Sequence, residues 1–207
     1  RLYCLDFKEH QGLSDKEGLQ LVICPLSDGD GTSIESTGTH WSGIVHWYDP
    51  QFHQKQNLES EKLIFKHYDF TNLETGCLNT EVARTMCRKL CMLLYPYLSS
   101  ARMDVLIVFE EPRFIPKQPD STSCGILLVA LMEKYTNAIT ESIPRSETED
   151  WVKCIELSVE RKFGVGGGGS VECDVPVFVA EERSRLVNEI CRQINEADKK
   201  KEVVNDI

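Results

Sequence analysis

The chain has 207 residues, 41% hydrophobic and 27% charged, the composition of one ordinary globular domain. Its formal net charge of −10 repels nucleic-acid phosphates, so no nucleic-acid partner is expected. The only dense basic run, Lys199-Lys200-Lys201, sits among acidic residues and reads as a solvated helix end.

No apolar run is long enough to cross a bilayer, so no membrane contact is expected. The opening RLYCLDFKEH lacks the apolar core of a signal peptide, and Arg1 in place of Met reads as the start of a fragment. Nine cysteines occur with no C-x-x-C pair, which argues against a zinc knuckle or a dithiol redox motif. Neither a metal nor another cofactor is expected, and so many thiols suit a reducing cytoplasm or nucleus.

In chain order, LQLVICPL (19–26) is a β-prone run ending near a proline, followed by a polar, Gly-rich loop. HWSGIVHWY (40–48) and LIFKHYDF (63–70) read as two strands of a hairpin. The polar excursion 49–62 joins them and is a candidate docking place for a protein partner. From Asn79 the period changes to that of a helix: Val82, Met86, Leu90 and Leu93 or Leu94 mark one face, Asn79 or Thr80 caps it, and Pro96 limits it. Cys87 and Cys91 in that helix read as small apolar groups.

DVLIVFE (104–110) reads as a further strand, and GILLVALMEKY (125–135) as a helix buried on most sides. Ser146 with Glu149 resembles a capping box before a helix over 147–162. GGGGS (166–170) reads as an engineered flexible joint that replaces a loop or joins two segments. A closing helix lies in 171–207, with Leu186, Val187, Ile190 and Ile194 as its apolar stripe. The expected fold is a single α+β domain over 1–207, with a mostly antiparallel sheet flanked by helices.

Cys124 directly follows a proline-containing loop and precedes an apolar helix. Unpaired N–H groups and the positive end of the helix dipole favour a thiolate at such a place, and can hold a developing oxyanion. Gly125 lets a substrate carbonyl approach the backbone. His40 opens a strand after a Gly-Thr turn, and imidazole is the usual base for a thiol. His46, His53 and His67 are rivals, and strand alternation puts His67 on the same face as Asp69. Asp69 could orient a histidine on the neighbouring strand, and the Gln118 amide could donate to an oxyanion.

The stretches GTHWSGIVHWY, FKHYDF and FEEPRFIPKQPDSTSCGILLV resemble the ubiquitin-like-protein proteases, the SUMO-protease type of papain-like cysteine peptidase. The likeness covers about residues 19–135, and VPVFVAEERSRLVNEI (175–190) is similar to the closing helix of that family. The resemblance implies a papain-like fold with Cys124 as nucleophile, His40 as general base and acid, and Asp69 orienting His40. Gln118 and the Cys124 N–H would form the oxyanion hole, and Trp41 would border a narrow channel for a Gly-Gly tail.

The implied activity is hydrolysis after the C-terminal glycine of SUMO, another ubiquitin-like modifier or ubiquitin, through a thioester. The implied partners are that modifier and its conjugates. The sequence departs from the family in the added residues 49–62 and in having no tryptophan before the first matched strand. Two other readings use the same residues: an acetyltransferase that loads an acyl group on Cys124, and a modifier-binding module that has lost turnover.

Overall fold

Alternation of apolar residues along the strands gives the central sheet two buried faces, and its helices divide between them. The sheet belongs to a computed structural model that describes residues 3–5, 20–28, 40–52, 61–71, 78–112, 115–120, 122–141, 151–162 and 175–205. Among the described residues are the strands β1 (Tyr3–Leu5), β2 (Gln20–Ser27), β3 (Trp41–Tyr48), β4 (Leu63–Asp69) and β5 (Ile107–Glu110). They lie side by side in chain order. The first three pairings are antiparallel and the β4–β5 pairing is parallel. The fold is therefore α+β with a mostly antiparallel mixed sheet flanked by helices.

The helices are α1 (Thr80–Leu94), α2 (Ser100–Leu106), α3 (Cys124–Glu141), α4 (Trp151–Lys162) and α5 (Val175–Asn205). Leu21, Ile23, Val45, Tyr68 and Phe70 pack with α3, α4 and Val179 of α5 on one face. Cys24, Leu26, Ile44, Leu63 and Phe65 pack with α1 and α2 on the other. Neighbouring residues of one strand, such as Ile44 and Val45, thus enter different cores, as the period of two requires.

The hairpin of 40–48 with 63–70 is present as β3 and β4, paired from Ser42↔Asp69 to His46↔Phe65. His40 lies one residue before β3 rather than inside it. The expected strand 104–110 needs correction, because Asp104–Leu106 complete α2 and only Ile107–Glu110 are extended. The Ser99 side chain accepts from Arg102 N–H and starts that short helix, which sets β5 parallel to β4.

The expected face of α1 holds at Leu90, Met86 and Leu94, which pack on the core, but not at Val82 or Leu93. The buried residues of the helix are Ala83, Cys87, Leu90 and Cys91, whereas Val82 is 44% and Leu93 61% exposed. The two cysteines do behave as small apolar groups. Asn79 is the N-cap of α1 but makes no side-chain capping bond.

The stripe assigned to the closing helix is not a core face. Val187, Ile190 and Ile194 are each more than half exposed, and Val179 is the buried residue of α5. At about 1.5 Å per residue this helix is about 46 Å long, and Val179 near its start packs with α3 and α4. Residues 147–150, 166–170, His53 and the excursion from 53 to 60 lie outside the described residues. No helix of the described residues is long and apolar enough to cross a membrane.

Candidate active site

β3, β4 and α3 bring His40, Asp69 and Cys124 to one end of the sheet. The register Ser42↔Asp69 sets the end of β4 beside the start of β3. His40 Nε2 lies 2.7 Å from Asp69 Oδ1, with His40 only 3% exposed and Asp69 fully buried. Cys124 is the first residue of α3 and is buried. Its Sγ accepts from Trp41 N–H at 3.4 Å, which holds the thiol against the backbone one residue past His40.

Asp69 ends its strand in a polar cradle. Oδ1 accepts from His40, from Thr71 N–H at 2.9 Å and from the Thr71 hydroxyl at 2.5 Å. Oδ2 accepts from Asn79 N–H at 3.2 Å. Burial alone would raise the carboxyl, but the hydrogen bonds from His40, Thr71 and Asn79 outweigh it and hold Asp69 well below the usual carboxylate range. The group is thus an anion, and it engages Nε2 of His40. No hydrogen bond between His40 and Cys124 is seen among the described residues, where the thiol meets Trp41 N–H instead.

Asp28 fixes the other side of His40. Its Oδ1 accepts from His40 N–H at 2.8 Å, and its N–H donates to His40 O at 3.2 Å. This pair extends the β2–β3 ladder past Ser27↔Trp41 and stops the histidine backbone from swinging.

The rival histidines are engaged elsewhere. His46 donates from Nδ1 to Ile64 O at 2.8 Å, meets Tyr95 Oη through Nε2 at 2.8 Å, and stacks on Phe65. Burial lowers its pKa to about 4, so it is a neutral core histidine. His67 shares the face of Asp69, but its nitrogens meet Glu111 Oε1 at 3.3 Å and Ser42 Oγ at 3.1 Å. Burial lowers its pKa too, against the opposing pull of Glu111.

Gln118 reaches the same end of the sheet through its backbone, donating to Phe70 O at 2.8 Å. Its Oε1 is buried with no hydrogen-bond partner among the described residues. No hydrogen bond between its amide and Cys124 is seen there.

Trp41 and Gly125 line a groove of about 820 Å³ together with Ile23, Pro25 and Leu128. A Cβ on Gly125 would meet only Trp41 Cδ1, at 3.8 Å, so the glycine keeps that approach open. Glu133 and Arg185, which form an ion pair, also line the groove. Pro25 sits in β2 beyond the described residues of β1, and among the described residues no second strand needs its missing N–H.

The loop ahead of the thiol is held from two sides. Asp120 Oδ1 accepts from Thr122 N–H at 2.8 Å and from Ser123 Oγ at 2.6 Å. From α5, Arg183 Nη2 lies within 3.3 Å of Asp120 Oδ2, Thr122 Oγ1 and Ser123 Oγ. Ser123 O then accepts from Leu127 N–H and begins α3.

Thr71, Asp28 and Arg183 carry no assignment from the sequence, and Asn79 is read there only as a helix cap. Asp69-x-Thr71 was the one local signal, since an aspartate commonly accepts from the backbone and hydroxyl two residues on. The other three act over longer separations. Among the described residues no cluster of His, Cys, Asp and Glu could hold a metal ion. No protein-family model matches the chain, and no curated protein matches it.

Proposed function

We propose that this chain is a thiol peptidase of the ubiquitin-like-protein protease type, with a papain-like arrangement of a cysteine helix packed on a histidine-bearing antiparallel sheet. The observation that carries this reading is the His40–Asp69 pair at 2.7 Å beside a thiol placed at the start of α3. Cys124, as thiolate, attacks the carbonyl of the modifier's terminal glycine, and the carbonyl electrons move onto oxygen. The N–H groups at the start of α3 receive that oxyanion, with the Gln118 amide as a further donor. Collapse breaks the C–N bond and expels the amine, which takes from His40 the proton that the Cys124 thiol gave it on ionising, and leaves a thioester on Cys124. His40 then removes a proton from water, whose oxygen attacks the thioester, and the free carboxylate leaves.

The substrate class rests on the likeness of the His40-Trp41, Asp69, Gln118 and Cys124-Gly125 elements. The test is incubation of the full chain with vinyl sulfones placed at the C-termini of SUMO and of ubiquitin. A covalent adduct is expected with one of them and is lost in Cys124→Ala. His40→Ala is expected to slow adduct formation at least about a hundredfold, within the usual range for a catalytic acid–base. Tight binding without an adduct would instead make the chain a modifier-binding module. Acetyl-CoA-dependent labelling of Cys124 would make it an acyltransferase.

A further inference from the structure

We propose that Thr71 is a positioning residue of this site, which locks the Asp69 carboxylate and thereby holds His40 with Nδ1 free for Cys124. The proposal rests on the reading of Cys124 as a nucleophile served by His40. Thr71 is buried and lies just past the end of β4. Its hydroxyl is 2.5 Å from Asp69 Oδ1 and 2.9 Å from His40 Nε2. An ionised carboxylate only accepts, so the single hydroxyl proton goes to Asp69. The Thr71 oxygen therefore turns a lone pair toward Nε2, as Asp69 does.

Two acceptors on one ring nitrogen require that nitrogen to carry hydrogen. The neutral ring is then the Nε2–H tautomer, with its basic lone pair on Nδ1. Thr71 also restrains the carboxylate plane, because its N–H and Oγ1–H both end on Oδ1. The terminal torsion of an aspartate is otherwise broad. The Asn79 N–H on Oδ2 is a single, longer contact at 3.2 Å and is a weaker restraint on rotation.

The test uses iodoacetamide on the full chain at about pH 6, where an ordinary thiol is almost wholly protonated. Labelling is mapped by peptide mass at Cys124, with the exposed Cys191 as internal reference. Thr71→Val keeps the shape and removes the hydroxyl, and it is expected to slow Cys124 labelling about tenfold, the weight of one hydrogen bond to a charged group. Thr71→Ser should restore most of the rate. In an Asp69→Asn background Thr71→Val should slow labelling no further, since Thr71 acts through Asp69.

Wild-type labelling in Thr71→Val, failure of the serine variant to rescue, or the same tenfold loss on top of Asp69→Asn would each overturn the proposal. His40→Ala in the same series separates the premise from the inference. If it leaves Cys124 labelling unchanged, the reading of the whole site falls and Thr71 with it. If it slows labelling while Thr71→Val does not, only the role of Thr71 falls.

Discussion

His46 and His40 lie six residues apart and are both buried, and their partners differ: His40 meets the Asp69 carboxylate, whereas His46 meets only the neutral Ile64 O and Tyr95 hydroxyl. A second proton on His46 would place a charge in the core with no anion bonded to it, and burial holds its pKa down to about 4. Between about 6.5 and about 4 the unfolded chain therefore binds more protons at this position than the native one. Stability must fall as pH drops through that window, by up to roughly 3 kcal/mol from this residue. His67 contributes in the same direction. Asp69, held low, instead supports the fold above the ordinary carboxylate range and withdraws that support only on further acidification. Urea midpoints measured from pH 7 to pH 4 should decline, and His46→Gln should flatten the decline. An unchanged slope in that variant would assign the titration to another group.

Between elements, the closest fit is β3 against α3. A Cβ on Gly43 would lie 2.6 Å from Leu128 Cδ1, nearer than any real contact. Glycine leaves room there for the tip of Leu128, one turn into α3, and a larger residue would push that side chain aside. Gly43→Ala is expected to cost about 1–3 kcal/mol, the usual weight of overpacking. Leu128→Ala should cost more by itself, about 2–5 kcal/mol. The double variant should lie well short of the sum, because each change removes the cause of the other's strain. Strict additivity in denaturant unfolding would mean that α3 shifts as a body instead.

Elements of this kind were legible wherever period and burial agree. β2, β3, β4 and α3 follow their hydrophobic patterns closely, whereas local context makes His40, Asp69 and Cys124 no more than separate candidates, and their combination rests on the family resemblance. Two readings failed for physical reasons. Val105 and Leu106 look like strand residues, but the Ser99 cap and the need to set β5 parallel to β4 make them the end of a helix. The larger apolar residues of α1 suggested a stripe through Val82 and Leu93. Close packing on Ile44 and Phe65 instead favours the smaller Ala83, Cys87 and Cys91.

At the scale of the whole molecule, the candidate site depends on a helix that starts more than fifty residues after Cys124. α5 touches the body through its first turns, and there it places Arg183 on the loop that delivers Cys124. Nothing local in the sequence marks this residue, since the contact exists only once α5 has docked on α3. One guanidinium nitrogen serves Asp120, Thr122 and Ser123 together, so its loss frees three groups of one short loop at once. Asp120 would still brace Thr122 and Ser123 from within the loop, and the start of α3 would persist. Arg183→Ala should therefore leave the fold intact while widening the positions open to the thiol, and labelling of Cys124 should slow severalfold. Because the arginine is partly exposed, the interaction is screened, and the wild-type rate should drift toward the variant's as salt is raised. If both rates coincide at low salt, the Asp120 turn alone positions the nucleophile and α5 serves only to cover α3.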